Sequence, residues 1–200
     1  MNKKINALLI SLVLTFATFA YLTYHHYGLI FGFAQASLCQ ISQTINCDSA
    51  ALSSYSEFLG IPIALFGLAF SFVMFFVFLF IKLEWLDAEK SIQQSLQFLF
   101  SFSVLTSIVL AGISIFKLGV VCPFCFVSYI LSFVNLLLVL SLFKFNMSAF
   151  EIFKVTEHKG FVTSLVMIPF LAWFASSTIQ SSFGYDELRK IIPEKIALWQ

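Results

Sequence analysis

The chain has 200 residues, 60% hydrophobic and only 10% charged, with a formal net charge of +1. Soluble domains run nearer ~45–50% apolar and ~25% charged, so this composition excludes a water-soluble globular protein and a disordered one. The near-neutral charge provides no basic surface for nucleic acid. What remains is an all-α polytopic membrane protein.

Five uncharged stretches are long enough to cross a bilayer, namely Ile5–Tyr24, Ile61–Ile81, Ser95–Phe116, Phe124–Phe143 and Phe161–Ile179. A helix rises ~1.5 Å per residue, so about 20 residues cover the hydrocarbon core. Lipid offers the backbone no hydrogen-bond partner, which makes each span helical. The first stretch follows Asn2-Lys3-Lys4 but is too long for a signal-peptide core, and it reads as a retained helix. The outer loop, residues 25–60, opens with His25 and His26 beside Tyr24 and Tyr27, and these histidines either anchor helix 1 at the interface or relay protons. The same loop holds Cys39 and Cys47, spaced C-x7-C, and then Ser53-Ser54-Tyr55-Ser56-Glu57, which reads as an N-cap and first turn of a half-helix at about 53–59.

Between helices 3 and 4 the sequence runs Lys117 to Val121-Cys122-Pro123-Phe124-Cys125, a C-x-x-C with proline suited to the first helical position. Cys125 then falls in the first turn of helix 4, where the helix's positive end favours a thiolate. Lys117 either adds to that effect or snorkels to the headgroups. Asn135, ten residues past Cys125, is expected to hydrogen-bond a neighbouring helix. Segment 144–160 mixes phenylalanines with charges, as an interfacial stretch would. Pro169 falls inside the fifth span, where it is expected to kink the helix.

Lys3, Lys4, Lys82, Lys90, Lys144, Lys154 and Lys159 all fall on one side of the membrane, and residues 25–60 contain no Lys or Arg. The positive-inside rule makes that side, and the N-terminus, cytoplasmic. Arg189, Lys190 and Lys195 in the tail weaken the bias without reversing it. Both cysteine pairs therefore face outward, where disulfides persist. Thiol–disulfide exchange suits a strained, reducible C-x-x-C. Two static disulfides and a Cys₄ zinc site are the competing readings.

The run Cys39-x7-Cys47, Ser53, Phe58-Leu59-Gly60-Ile61-Pro62, Cys122-Pro-Phe-Cys125 and Tyr129 resembles the vitamin K epoxide reductase (VKOR) family in its bacterial form, over roughly residues 5–143. DsbB-type oxidases carry their C-x-x-C in the first outer loop, the reverse of the order here. The resemblance implies a four-helix transmembrane bundle around a quinone (ubiquinone or menaquinone), here with a fifth transmembrane helix. The catalytic core is then residues 1–145, and 146–200 form a cytoplasmic connection, the fifth helix and a short outer tail. It further implies that Cys39, Cys47, Cys122 and Cys125 are catalytic and that Ser53, Cys125 and Tyr129 meet the quinone, with no metal involved. Electrons would pass from a thioredoxin-like or DsbA-like thiol protein, first to Cys39, then from Cys47 to Cys122, with Cys125 released toward the quinone. The setting implied is a bacterial inner membrane with the cysteines on the periplasmic side.

Two departures stand out. Too few residues follow helix 5 for the thioredoxin-like domain fused to many bacterial members, which points to a partner in trans or a cut chain. Helix 2 lacks the asparagine of the animal members, which favours a plain quinone over a vitamin K epoxide. A different class, a claudin-like four-helix protein with structural disulfides, would need a Trp-rich stretch before the loop cysteines, and the first tryptophan is Trp85.

Overall fold

The computed structural model describes residues 2–32, 44–87, 89–143 and 159–182. Cys39, the interfacial segment before Lys159 and the charged tail lie outside them. In chain order the elements are α1 (Asn2–Phe31), α2 (Cys47–Ala51), β1 (Glu57–Phe58), β2 (Ile61–Pro62), α3 (Ile63–Lys82), α4 (Lys90–Ile113) with a π-helical turn at Ser114–Leu118, α5 (Pro123–Leu142) and α6 (Lys159–Ser182). Four helices among the described residues are long and apolar enough to cross a membrane: Lys3–Phe31, Ile63–Lys82, Ile92–Leu118 and Pro123–Leu142. The protein is an all-α, multi-pass membrane protein. The fifth expected span also folds as a helix, α6, and packs on α3 through Ile168 and Ala172.

Two expectations shift. Helix α1 continues through His25 to Phe31, so the outer loop starts later than the charge pattern implied. The cause is tertiary cover: Thr23, His25, His26 and Tyr27 are all buried. The short outer helix is α2, not a half-helix at 53–59. Asn46 caps it, its Oδ1 accepting from the amides of Asp48 at 2.9 Å and Ser49 at 3.2 Å. Residues 53–59 form a turn and β1, paired antiparallel with β2 in the register Glu57–Pro62 and Phe58–Ile61.

The bundle is dense at one end. Leu8, Leu12, Met74, Phe78, Phe100 and Val139 are essentially fully buried there. Polar ties cross the spans: Asn135 Nδ2 donates to Thr15 Oγ1 at 2.9 Å, joining α5 to α1 as expected. At the other end α6 is tied in by hydrogen bonds. Tyr27 Oη donates to Ser176 Oγ at 3.0 Å, and Gln180 Nε2 donates to Ser176 Oγ at 2.9 Å and to the Gly60 carbonyl at 3.2 Å. The fold thus stacks a packed core against a layer at the other end made of α2, the β1–β2 hairpin and the loop before α5.

Candidate functional site

The two cysteine loops meet because their backbones pair. Ile45 and Val121 form an isolated parallel bridge. The Val121 amide donates to the Thr44 carbonyl at 2.7 Å, and the Asn46 amide donates to the Val121 carbonyl at 3.2 Å. One residue beyond each bridge residue stands a helix cap: Asn46 caps α2, whose first residue is Cys47, and Cys122 caps α5. The two sulfurs are 3.4 Å apart and buried, at 2% and 3% exposure. Cys47 is disulfide-bonded, whereas Cys122 and Cys125 are free thiols.

Pro123 occupies the first turn of α5, as its missing amide predicts. The expectation that the helix end favours Cys125 is corrected. The Cys125 amide donates to Cys122 Sγ at 3.2 Å, so the α5 N-terminus is aimed at Cys122. A capping side chain reaches back to the first free amides, which a residue inside the first turn cannot do. The Cys125 thiol, and then the amides of Cys125 and Phe124, hold the Cys122 thiol below the usual range, against the opposing effect of burial.

Behind the cysteines lies a cavity of about 120 Å³ between α1, α3, α4 and α5. Cys47, Cys122, Cys125, Ser53 and Tyr129 all line it, with Phe19, Leu22, Ile63, Leu110 and Ile113 supplying apolar walls. Tyr129 stands one turn along α5 from Cys125, so the structure gathers at one cavity every sequence-predicted site residue it describes. Ser53 is not an N-cap. It follows α2, and its Oγ donates to the Ala50 carbonyl at 2.8 Å, closing the end of that helix. Its backbone carbonyl accepts from both the amide and the hydroxyl of Ser56.

Several contributors to the site were not legible in the residue types alone. Asp48 and Glu57 face the two buried histidines: His25 Nε2 is 3.1 Å from Asp48 Oδ1, and His26 Nε2 is 3.3 Å from Glu57 Oε1. His25 and His26 therefore do not anchor α1 at an interface. Lys117 is exposed on the π-helical turn. Asn46 had a readable signal, an Asn ahead of Cys-Asp-Ser, which is a helix-start pattern. Among the described residues no group of His, Cys, Asp and Glu is arranged to hold a metal ion.

Comparison with protein families matches residues 6–140 to the Vitamin K epoxide reductase family. Comparison with curated proteins finds no match. The matched region contains every described side chain named above that lines the cavity, and it stops before α6.

Proposed function

The chain belongs to the vitamin K epoxide reductase family of quinone-linked thiol oxidoreductases, and from that premise we propose that it oxidises a thioredoxin-like or DsbA-like thiol protein outside the cytoplasm and passes the electrons to a quinone. The observation that carries this reading is the 3.4 Å contact between Cys47 and Cys122 at the mouth of a cavity also lined by Cys125. Static disulfides have no use for a free thiol pair facing a bonded cysteine. A non-enzymatic claudin-like protein has no use for the cavity.

The order of the relay is carried over from the family resemblance, and the Cys47–Cys122 contact supports its internal step. A partner thiolate attacks Cys39 in the outer loop and frees Cys47 as a thiolate. Cys47 attacks Cys122 of an oxidised Cys122–Cys125 pair, forming the Cys47–Cys122 bond and releasing Cys125. The second partner thiol resolves the mixed disulfide, and Cys39 then re-forms its bond to Cys47. This leaves Cys122 and Cys125 holding two electrons. The structure has Cys47 bonded and both C-x-x-C thiols free, the pattern expected after that internal transfer. The depressed Cys122 thiol makes it a better leaving group than an ordinary thiol.

The cavity suits a quinone head. Its walls are largely apolar, and Cys125, Tyr129 and Ser53 line it. The buried Nε2 atoms of His25 and His26 each lie beside a carboxylate oxygen, at 3.1 Å and 3.3 Å. A bound quinone supplies a two-electron acceptor. Cys125 would give up the electrons, Tyr129 would orient a ring oxygen, and Ser53 would do so once its hydroxyl turns from the Ala50 carbonyl. Both cysteine pairs are read as facing the periplasm, with the N-terminus cytoplasmic.

The test is turnover by purified protein given a reduced DsbA-like dithiol protein and either ubiquinone or menaquinone. Quinone reduction that matches partner oxidation and is lost in Cys122→Ser and Cys125→Ser is expected. A wild-type protein that reduces neither quinone ends the reading.

A further inference from the structure

His25 and His26 line the same cavity as Cys47, Cys122 and Cys125, yet no step of the sulfur relay uses them. They are 5% and 4% exposed. His26 Nδ1 is 2.9 Å from the Ala51 carbonyl, which can only accept, so Nδ1 carries a hydrogen. That leaves Nε2 as the atom that gains or loses a proton. Nε2 is buried and lies 3.3 Å from Glu57 Oε1. The Glu57 side chain is the more exposed partner, at 27% against 5% for His26. A more exposed carboxylate thus meets a buried ring that is itself among the residues lining the cavity.

Proton accounting gives that arrangement a task. Forming the Cys122–Cys125 bond from one thiolate and one thiol releases two electrons and one proton. A quinone acceptor takes up two electrons and two protons, so one further proton must reach the cavity. We propose that His26 delivers this proton from Nε2 and recovers it through Glu57, an inference that rests on the function proposed above. The fixed Nδ1–Ala51 bond holds the ring so that Nε2 alone exchanges. His25 and Asp48 form a second, parallel pair, with Nε2 3.1 Å from Oδ1 and the ring stacked on Tyr21.

The groups facing His26 are Glu57 from β1 and the Ala51 carbonyl from α2, with His25 and Tyr27 beside it on α1. Across the cavity stand Cys47, Cys122, Cys125 and Tyr129, and Asp48 faces His25. At this end α6 brings the uncharged Ser176 and Gln180. Glu57 is therefore the carboxylate within reach of His26 Nε2, and an ionised carboxylate at that distance favours a protonated partner.

The experiment compares wild type, His26→Gln and Glu57→Gln in three measurements. These are quinone turnover against pH, Cys47–Cys122 exchange followed by alkylation and mass spectrometry, and ¹³C NMR titration of labelled histidine. His26→Gln is expected to lower turnover about 100-fold while Cys47–Cys122 exchange keeps its wild-type rate. Glu57→Gln removes the charge that favours the imidazolium, so the alkaline fall-off in turnover moves to lower pH. The titration of the His26 resonance lies at lower pH in Glu57→Gln than in the wild type. Wild-type turnover in His26→Gln overturns the proposal, as does a His26 resonance that ignores Glu57→Gln. Equal loss of exchange and turnover also overturns it, because a ring that merely holds Ala51 would impair both. Should His26→Gln fail to fold, the wild-type and Glu57→Gln titrations still decide. A wild-type protein that reduces no quinone removes the proposed function and this inference together, a result distinct from a change confined to the variants.

Discussion

Cys122 Sγ lies 3.4 Å from Cys47 Sγ across 75 residues of sequence, and the Cys125 amide points at the same Cys122 sulfur from 3.2 Å. One sulfur is thus shared between the loop pair and the helix pair. Cys125→Ser removes the thiol that would free Cys122, so Cys122 attacks Cys47 of the loop disulfide, releases Cys39, and is expected to accumulate as the Cys47–Cys122 disulfide. Cys122→Ser leaves Cys47 nothing to attack and is expected to show no inter-loop bond. Non-reducing peptide mapping of both variants, after exposure to a reduced partner, separates the two outcomes. Quinone reduction falls to background in both.

The depressed Cys122 thiol has a pH consequence. Its hydrogen bond from Cys125 is the leading cause, with the α5 amides adding to it. Alkylation of reduced protein at Cys122 should therefore persist to lower pH than alkylation of an ordinary thiol at ~8.5. The linkage has the sign of a depressed acid: the stabilisation is fully present above the unfolded thiol's pKa and is lost as pH falls through the lower folded value. Cys125→Ala removes the first cause and should move the alkylation midpoint upward. An unchanged midpoint would show that the amides alone suffice.

Ser53 donates to Ala50 and so closes the end of α2. Ser53→Ala should cost about 1 kcal/mol through that lost hydrogen bond, read as a lower melting temperature in detergent. If the hydroxyl also orients a quinone oxygen, turnover falls several-fold with saturating partner, and the stabilisation by added quinone shrinks as well. Wild-type turnover with only a lower melting temperature would leave Ser53 as a structural tie.

Gly67 on α3 tests the cavity wall. A Cβ there would stand 2.5 Å from Phe19 Cε1 and Cζ, closer than real contacts allow. Phe19 lines the cavity, so Gly67→Ala must displace that ring or spread α1 from α3. The expected result is a higher KM for quinone with Cys47–Cys122 exchange unchanged. An unchanged KM would place the ring's displacement away from the cavity.

Hydropathy alone determined the membrane class and nearly all of the spans, because lipid demands long apolar helices whatever their neighbours are. Cysteine placement put Cys47 at the same end of the bundle as Cys122 and Cys125, since crossings alternate sides, and the contact between Cys47 and Cys122 agrees. Pro123 marked the start of α5 through its missing amide, and Asn135 required a partner that lipid cannot supply. Tertiary structure decided what depends on contacts distant in sequence. Helix α1 runs on to Phe31 because the outer layer and α6 cover its last two turns. The outer helix begins at Asn46 rather than Ser53 because the Ile45–Val121 bridge holds the chain extended up to that cap. The same bridge sets Cys47 against Cys122, and the reach of a capping side chain gives the helix end to Cys122 instead of Cys125. His25 and His26 meet Asp48 and Glu57 only after α2 and the hairpin fold back over α1, a juxtaposition of residues 23 and 31 positions apart that no local pattern encodes.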